Sequence, residues 1–443
     1  MKIKKNHTLS CLALVMTALA VTSCGNTPAG VPAQETAQAS GSHQIATLRI
    51  GASVTREDLQ TAMPGAQILS FNPGAGYAIL SVSGGGGAAG TRLTGQSLRA
   101  LGVGAVTLEP DVELSAPSDP VANGQGITGW ASGITGWASG ITGWAAGASL
   151  LPEADRNLAL TYWNALGLPR AYALVPELGA GVKVAVLDTG VDVNHALLQG
   201  RVDAAAGWDF VDGDAVPQEE RPLIGDGKYG HGTAVTGVIL QIAPNAKILP
   251  YRVLGPDGSA PMSRVVLALD KAVASGAKVI NLSLGAATDS TALNTALAAA
   301  LAKGVIVVNS SGNNGTEGMV YPAQNVGSAA FPSDSGLVAV GSVGLNLYKS
   351  AFTNYGANMS LTAPGEDILT TYPGNQLVRA SGTSFAAPAV TGALALAIST
   401  GATNTAGLLR DLRATTTPNL DPTFKSKLGA GTLNVAAFVD TYR

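Results

Sequence analysis

From about Leu150 to its end, the chain alternates short runs of β-branched apolar residues with longer stretches rich in alanine and leucine. Residues 182–187, 247–254, 278–282, 305–308 and 337–340 read as strands, being brief, apolar on both faces and bounded by glycines or polar residues. Residues 262–274, 291–302 and 386–398 are longer and alanine-rich, and read as helices. Two-sided apolar strands separated by helices predict an α/β domain, a mostly parallel sheet with helices on both faces. Its crossovers should be right-handed, and a ligand should bind beyond the carboxyl ends of the strands.

A smaller alternation precedes it over 44–115. Strands are expected at 46–50, 67–71, 77–82 and 105–114, with short helices at 56–63 and 95–101. Thr55 is a candidate N-cap with Asp58 three residues on, and an Asn-Pro-Gly turn joins the middle strands. The order β-α-β-β-α-β makes this a small α+β domain of the split βαβ kind. Gly84 to Gly87 mark a flexible loop inside it. Between the two domains, 116–150 holds three copies of a seven-residue unit that repeats Trp130, Trp137 and Trp144. Two glycines per copy would cost a helix about 1 kcal/mol each. Loose turns in a low-complexity insert are therefore expected, three short copies being too few for a repeat fold.

Lys+Arg 26 against Asp+Glu 29 leaves a net charge of −3, so nothing recommends a nucleic-acid partner. Hydrophobic residues at 46% and charged ones at 12% exclude bulk disorder. Two cysteines exclude a disulfide scaffold and a multi-cysteine metal site. The first residues point to export. Lys2, Lys4 and Lys5 precede an apolar run over 9–21, short for a membrane span and suited to a signal peptide. Val21-Thr22-Ser23-Cys24 resembles a bacterial lipobox, which makes 1–24 a lipoprotein-type signal with Cys24 as the lipidated residue. Residues 25–43 read as a flexible tether. Membrane attachment is expected only through Cys24, and the protein is expected outside the cell or in its envelope.

Three segments of the larger domain, 151–443, carry chemistry. Val186-Leu187-Asp188-Thr189-Gly190 ends a buried strand in an acid and a turn. Gly230-His231-Gly232-Thr233 opens a helical run. Gly382-Thr383-Ser384-Phe385-Ala386-Ala387-Pro388 sets a serine at the start of a long apolar helix. Acyl transfer needs this set: a serine hydroxyl, a histidine to take its proton, and an aspartate to fix the imidazole tautomer. Ser311-Gly312-Asn313-Asn314 follows another strand and offers an amide donor to an oxyanion. Asn281-Leu282-Ser283-Leu284-Gly285 ends a further strand, with a backbone that can pair with an extended peptide.

In the order Asp, His, Asn, Ser, these segments resemble the subtilisin family of serine peptidases from about Leu158 to the C-terminus. The resemblance implies a serine endopeptidase acting on proteins or peptides, with no cofactor in its chemistry and as a monomer. It implies Asp188, His231 and Ser384 as the triad and Asn313 as oxyanion donor. Ser283, Leu284 and Gly285, with Gly258, Ser259 and Ala260, match the two segments that flank the substrate. Residues 44–115 resemble the family's inhibitory, fold-assisting propeptide, with Glu109-Pro110-Asp111 near the end that leads into the cleft, which implies an inactive precursor.

Some positions depart from the family pattern. Ala234 stands where a second histidine is common, and Phe385 and Ala389 replace a usual methionine and histidine. The loop that builds a strong calcium site in many members is absent between Gln241 and Pro244. Residues 208–218 are similar to a loop of thermitase-like members. That likeness implies a candidate calcium site of Asp209, Asp212 and Asp214 carboxylates, the Val216 carbonyl and the Gln218 amide oxygen. An insertion follows over 219–228. Two rival readings are weaker. An aspartic peptidase would pair Asp188 with Asp334 of Asp334-Ser335-Gly336, but leaves His231 and Ser384 idle. A non-enzymatic binder presenting the tryptophans leaves the whole triad idle. His43 and His195 read as ordinary surface or structural histidines.

Overall fold

The computed structural model describes residues 43–83, 98, 102–117, 128–131, 153–221 and 228–443. Cys24, the targeting segment, nearly all of the tether, the Gly84–Gly87 loop, most of the second small helix and the second and third tryptophan copies lie outside the described residues. The described residues fall within one unit, Ser40–Arg443.

The N-terminal part is a four-stranded antiparallel sheet of β1 (His43–Arg49), β2 (Gln67–Asn72), β3 (Tyr77–Ser83) and β4 (Val106–Pro110), in the order β2-β3-β1-β4. Helix α1 (Arg56–Ala62) starts at a capping box, Thr55 and Asp58 each bonding the other's backbone N–H. Period-two alternation gives the sheet two apolar faces. Ala46, Leu48, Ala78 and Leu80 pack on Leu59 of α1 and on Met63. Ile45, Leu69, Tyr77 and Ile79 face the other way and join a core cluster of the larger domain.

The last expected strand, 105–114, is broken. β4 stays with the small sheet, while β5 (Glu113–Ser115) leaves it and pairs antiparallel with β10 (Ser259–Pro261). Pro110, which has no N–H for a ladder, and Asp111, whose carboxylate turns to another element, sit at the break. The tryptophan insert also differs from expectation. Strand β6 (Thr128–Ala131), in the first copy, pairs antiparallel with β16 (Gln376–Ala380), because an unfilled ladder of backbone donors and acceptors is available there.

The larger domain begins with α2 (Glu153–Ala165) and α3 (Leu168–Leu174). Its strands β7 (Lys183–Asp188), β8 (Trp208–Asp209), β9 (Lys247–Arg252), β11 (Val279–Leu282), β12 (Ile306–Ser310), β13 (Leu337–Val343) and β14 (Leu361–Pro364) form one sheet in the order β14-β13-β12-β11-β7-β9-β8. Every neighbouring pair is parallel. Val184 and Val186 face α4 (His231–Ile242) and α7 (Thr383–Ser399), in a cluster with Val235, Val238, Val390 and Leu394. Ala185 and Leu187 face α5 (Met262–Ala274) and α6 (Thr291–Ala302), in a cluster with Val266, Leu269, Leu293 and Leu297. Two-sided burial thus explains the unbroken apolar strands read from the sequence. Strand β15 (Ile368–Tyr372) pairs with β16, and α8 (Thr405–Ala414) and α9 (Val435–Val439) close the chain.

Parallel strands share one carboxyl edge. Asp188 ends β7, Ser283 follows β11 and Asn313 lies just past β12, all on that edge. Asp334 instead precedes β13 at the opposite edge, half exposed and paired with Arg413. The aspartic-peptidase pairing of Asp188 with Asp334 is therefore excluded by parallel topology, and so is its two-carboxylate chemistry.

Candidate active site

Asp188 is fully buried and His231 nearly so. Asp188 Oδ1 accepts a hydrogen bond from His231 Nδ1 at 2.7 Å and from the Thr189 backbone N–H at 2.8 Å. An ionised carboxylate only accepts, so Nδ1 carries the proton and Nε2 keeps its lone pair. The two backbones meet closely. A Cβ on Gly232 would fall 2.1 Å from the Gly190 carbonyl oxygen and 3.1 Å from Asp188 Cβ. Glycine at 232 lets α4 approach the end of β7, and the imidazole then reaches the carboxylate.

Ser384 is the second residue of α7, 2% exposed, and its Oγ has no hydrogen-bond partner among the described residues. The ring of Phe385, its neighbour, lies 5.6 Å from that of His231. Ser283 Oγ donates to the Ser384 carbonyl at 2.9 Å, and Asn281 Nδ2 donates to Ser283 Oγ at 3.0 Å. Asn313 Oδ1 accepts from the Thr383 N–H at 2.9 Å and from its Oγ1 at 2.8 Å. Those two donors fix the amide's orientation and turn Nδ2 towards the start of α7, 3.1 Å from where a Cβ on Gly382 would lie. The structure thus gathers all four residues around one helix start. Ala234 and Ala389 are fully buried.

The two expected substrate segments flank an extended strand of the chain itself. Ala260 stands opposite Leu114 and Ser259 opposite Ser115 in the ladder. Gly258 O accepts from the Ala116 N–H at 2.9 Å. On the other side Gly285 and Ser115 exchange both backbone bonds, at 3.0 and 2.9 Å. Leu114 is fully buried in a cluster with Leu284 and Met262. Two carboxylates fasten the same segment. Glu109 accepts from the N–H groups of Thr291 and Ala292 and from Ser290 Oγ, at 2.7–2.9 Å, at the start of α6. Asp111 accepts from Ser263 N–H at 2.9 Å and from its Oγ at 2.6 Å, at the start of α5, whose N-cap is Pro261 and provides no side-chain cap.

At the loop where calcium was expected, a guanidinium of the chain meets the acids. Arg252, 2% exposed and brought in by β9, donates from one guanidinium nitrogen to Asp209 and Asp212, both at 2.6 Å, and pairs with Glu220 at 3.0 Å. Asp209 Oδ1 accepts from the backbone N–H groups of Val211 and Asp212, Asp214 Oδ1 from Val216 N–H, and Val216 O from Gln218 N–H. Gln218 Oε1 accepts from Val193 N–H. Several of the oxygens named for calcium thus already accept from donors of the chain, and a guanidinium meets part of the charge. Among the described residues no cluster of three His, Cys, Asp or Glu is arranged to hold a metal ion. His195 is buried, its Nδ1 accepting from Leu197 N–H and its Nε2 bonded to Gln376 O, a structural histidine. His43 opens β1 on the exposed side.

Sequence reading missed Glu219, taking it as the start of an insertion. Glu219 is 4% exposed. Its Oε1 accepts from Gly230 N–H at 2.9 Å, and its Oε2 from Thr233 N–H at 3.1 Å and Thr233 Oγ1 at 2.8 Å. It closes the first turn of α4, where the N-cap Gly230 has no side chain to do so. Burial pushes its carboxyl up to about 7, opposed by the hydrogen bonds from Thr189, Thr233 and Gly230 and reinforced by repulsion from Asp188. The only sequence signal was an acid about one loop before a helix whose N-cap is glycine.

A family model described as the Subtilase family matches residues 179–431. Subtilisin DY of Bacillus licheniformis is 36% identical over 268 residues, covering 58% of this chain and 91% of the relative. Thermitase of Thermoactinomyces vulgaris is 38% identical over 233 residues, covering 50% of this chain and 77% of the relative. A cold adapted subtilisin-like serine proteinase of known crystal structure is similar with a TM-score of 0.50 at 32% identity, over 58% of this chain and 89% of that one.

Two measurements check the polar framework. Arg252→Met leaves the buried Asp209 without its partner, and chemical denaturation should show a loss of roughly 3–5 kcal/mol. Glu219 has a folded value above its ordinary 4.5, so its contribution is complete below about pH 4.5 and is lost as pH rises through about 7. Glu219→Gln should abolish that component. The urea midpoint of wild type, relative to the variant, should fall as pH rises across this window.

Proposed function

The chain belongs to the subtilase family of serine peptidases, and from that premise we propose how its own residues hydrolyse protein substrates. Ser384 Oγ attacks the carbonyl carbon of the scissile bond while His231 Nε2 takes its proton. Asp188 holds the Nδ1–H and offsets the charge of the imidazolium as it forms. The oxyanion accepts from Asn313 Nδ2 and from the Ser384 backbone N–H, at the positive end of α7. The C–N bond breaks, and His231 returns the proton to the leaving amine. Water then repeats the sequence on the acyl-serine, releasing a carboxylic acid and free Ser384. The observation that carries this reading is the 2.7 Å bond between Asp188 and His231 beside the helix that opens at Ser384.

We further read 44–115 as an inhibitory propeptide. Support comes from β5 lying in the strand position a substrate would take and from the helix starts that Glu109 and Asp111 close. Export, with Cys24 as lipid anchor of the precursor, rests on the N-terminal sequence. Cutting between 114 and 150 would free a monomeric catalytic domain from that anchor.

Casein hydrolysis tests the mechanism. Wild type should cleave casein and take up a serine-directed phosphonate stoichiometrically, and Ser384→Ala should do neither. Equal activity in both would end the serine mechanism. Asn313→Ala should lower kcat by roughly a hundredfold with little change in KM, the scale known for one oxyanion donor in subtilisin itself. N-terminal sequencing of the active form tests the propeptide: an active enzyme still beginning at Cys24 would overturn that part.

A further inference from the structure

The strand in the cleft ends on a residue unsuited to being cut. Ser115 and Gly285 exchange both backbone bonds, as a hydrogen-bonded pair of an antiparallel ladder does. Moving two residues along one strand of such a ladder moves two residues back on the other. Continued by two residues, that register sets position 117 opposite Ser283, the residue whose hydroxyl is bonded to the Ser384 carbonyl. Position 117 is Pro117, and it is buried. A residue here should donate its N–H to the Ser283 carbonyl, which would align its own carbonyl for attack. Proline has no N–H, and its ring holds φ near −65°, far from the roughly −140° of an antiparallel strand.

We propose that residues 114–117 lie in the cleft as a substrate does, with the Pro117 carbonyl presented to Ser384, and that proline there makes the Pro117–Ser118 bond a slow substrate of its own enzyme. The inference rests on the propeptide reading above and adds to it a residue that sets how long inhibition lasts. The bond at issue is an ordinary amide. Hydrolysis would break its C–N bond, leave a carboxylate on Pro117 and a new amino terminus on Ser118, and consume one water. What proline removes is a hydrogen bond and the backbone alignment, not a chemical step. Anchoring elsewhere is kept, since Leu114, Glu109 and Asp111 hold their contacts. The segment therefore stays bound through these contacts while it turns over less well, which is what an intramolecular inhibitor requires.

The full-length chain is the material for the test. Pro117→Ala restores the N–H and frees φ without adding bulk. It should release a fragment ending at residue 117, identified by mass, roughly tenfold to a hundredfold faster than wild type does, the value of one hydrogen bond and its alignment in the transition state. Casein hydrolysis should appear correspondingly sooner. The double variant Pro117→Ala, Ser384→Ala should release no fragment, which assigns the cut to the chain itself. A measurement independent of precursor folding uses the casein-hydrolysing form on two anilides, Leu-Ser-Ala-Pro and Leu-Ser-Ala-Ala. The second should have the higher kcat/KM by a similar factor. Equal rates for the two anilides, or wild type cutting after Pro117 as fast as the variant, would overturn the proposal. A chain that hydrolyses neither casein nor either anilide would instead overturn the peptidase mechanism on which it stands.

Discussion

A single hydrogen bond in the interior organises the edge of the sheet. Asp188 is sealed from solvent, and a carboxylate in that setting is tolerable only with donors aimed at it. Thr189 N–H and His231 Nδ1–H are those donors. Their supply demands that α4 begin almost against the turn after β7. Gly232 permits the approach, and Glu219 ties down the polar groups of the helix's first turn. The geometry of His231 is thus a property of a strand end, a helix start and a carboxylate from a third segment, all buried together.

The same economy of helix starts governs how the N-terminal domain is held. One face of its sheet joins the core cluster of the larger domain, but position along the cleft is set by charge. Glu109 and Asp111 each close the start of a different helix, just ahead of the strand that enters the groove. The strand's register there seats Leu114 opposite Ala260 and Ser115 opposite Gly285. The same contacts that dock the domain also fill the groove between the two flanking segments. The domain is thus fastened by two helix caps and an apolar face as well as by the strand in the groove.

The loop from Asp209 to Gln218 illustrates how one charge decides between two uses of the same acids. Closely spaced carboxylates attract a cation, and either a hard metal ion or a guanidinium answers. Arg252, carried in by β9, supplies a planar donor to two carboxylates at once. The loop is then held from within the chain.

Much of this molecule was legible along the chain, and the reason is locality. Asp188, His231, Asn313 and Ser384 each sit at the end of an element whose type its own neighbours determine, and a parallel sheet brings such ends to one edge by geometry alone. The capping box of Thr55 and Asp58 spans three residues and needed nothing more. What the sequence left open were partnerships across distance. Arg252 meets Asp209 and Asp212 from about forty residues away, Glu219 reaches a helix beyond a loop, and the apparent strand over 105–114 divides because its second half finds better partners in another sheet. Local periodicity specifies which backbone a segment adopts. Only the folded chain decides which distant donor, charge or strand edge will satisfy it, because those energies exist only once the pieces touch.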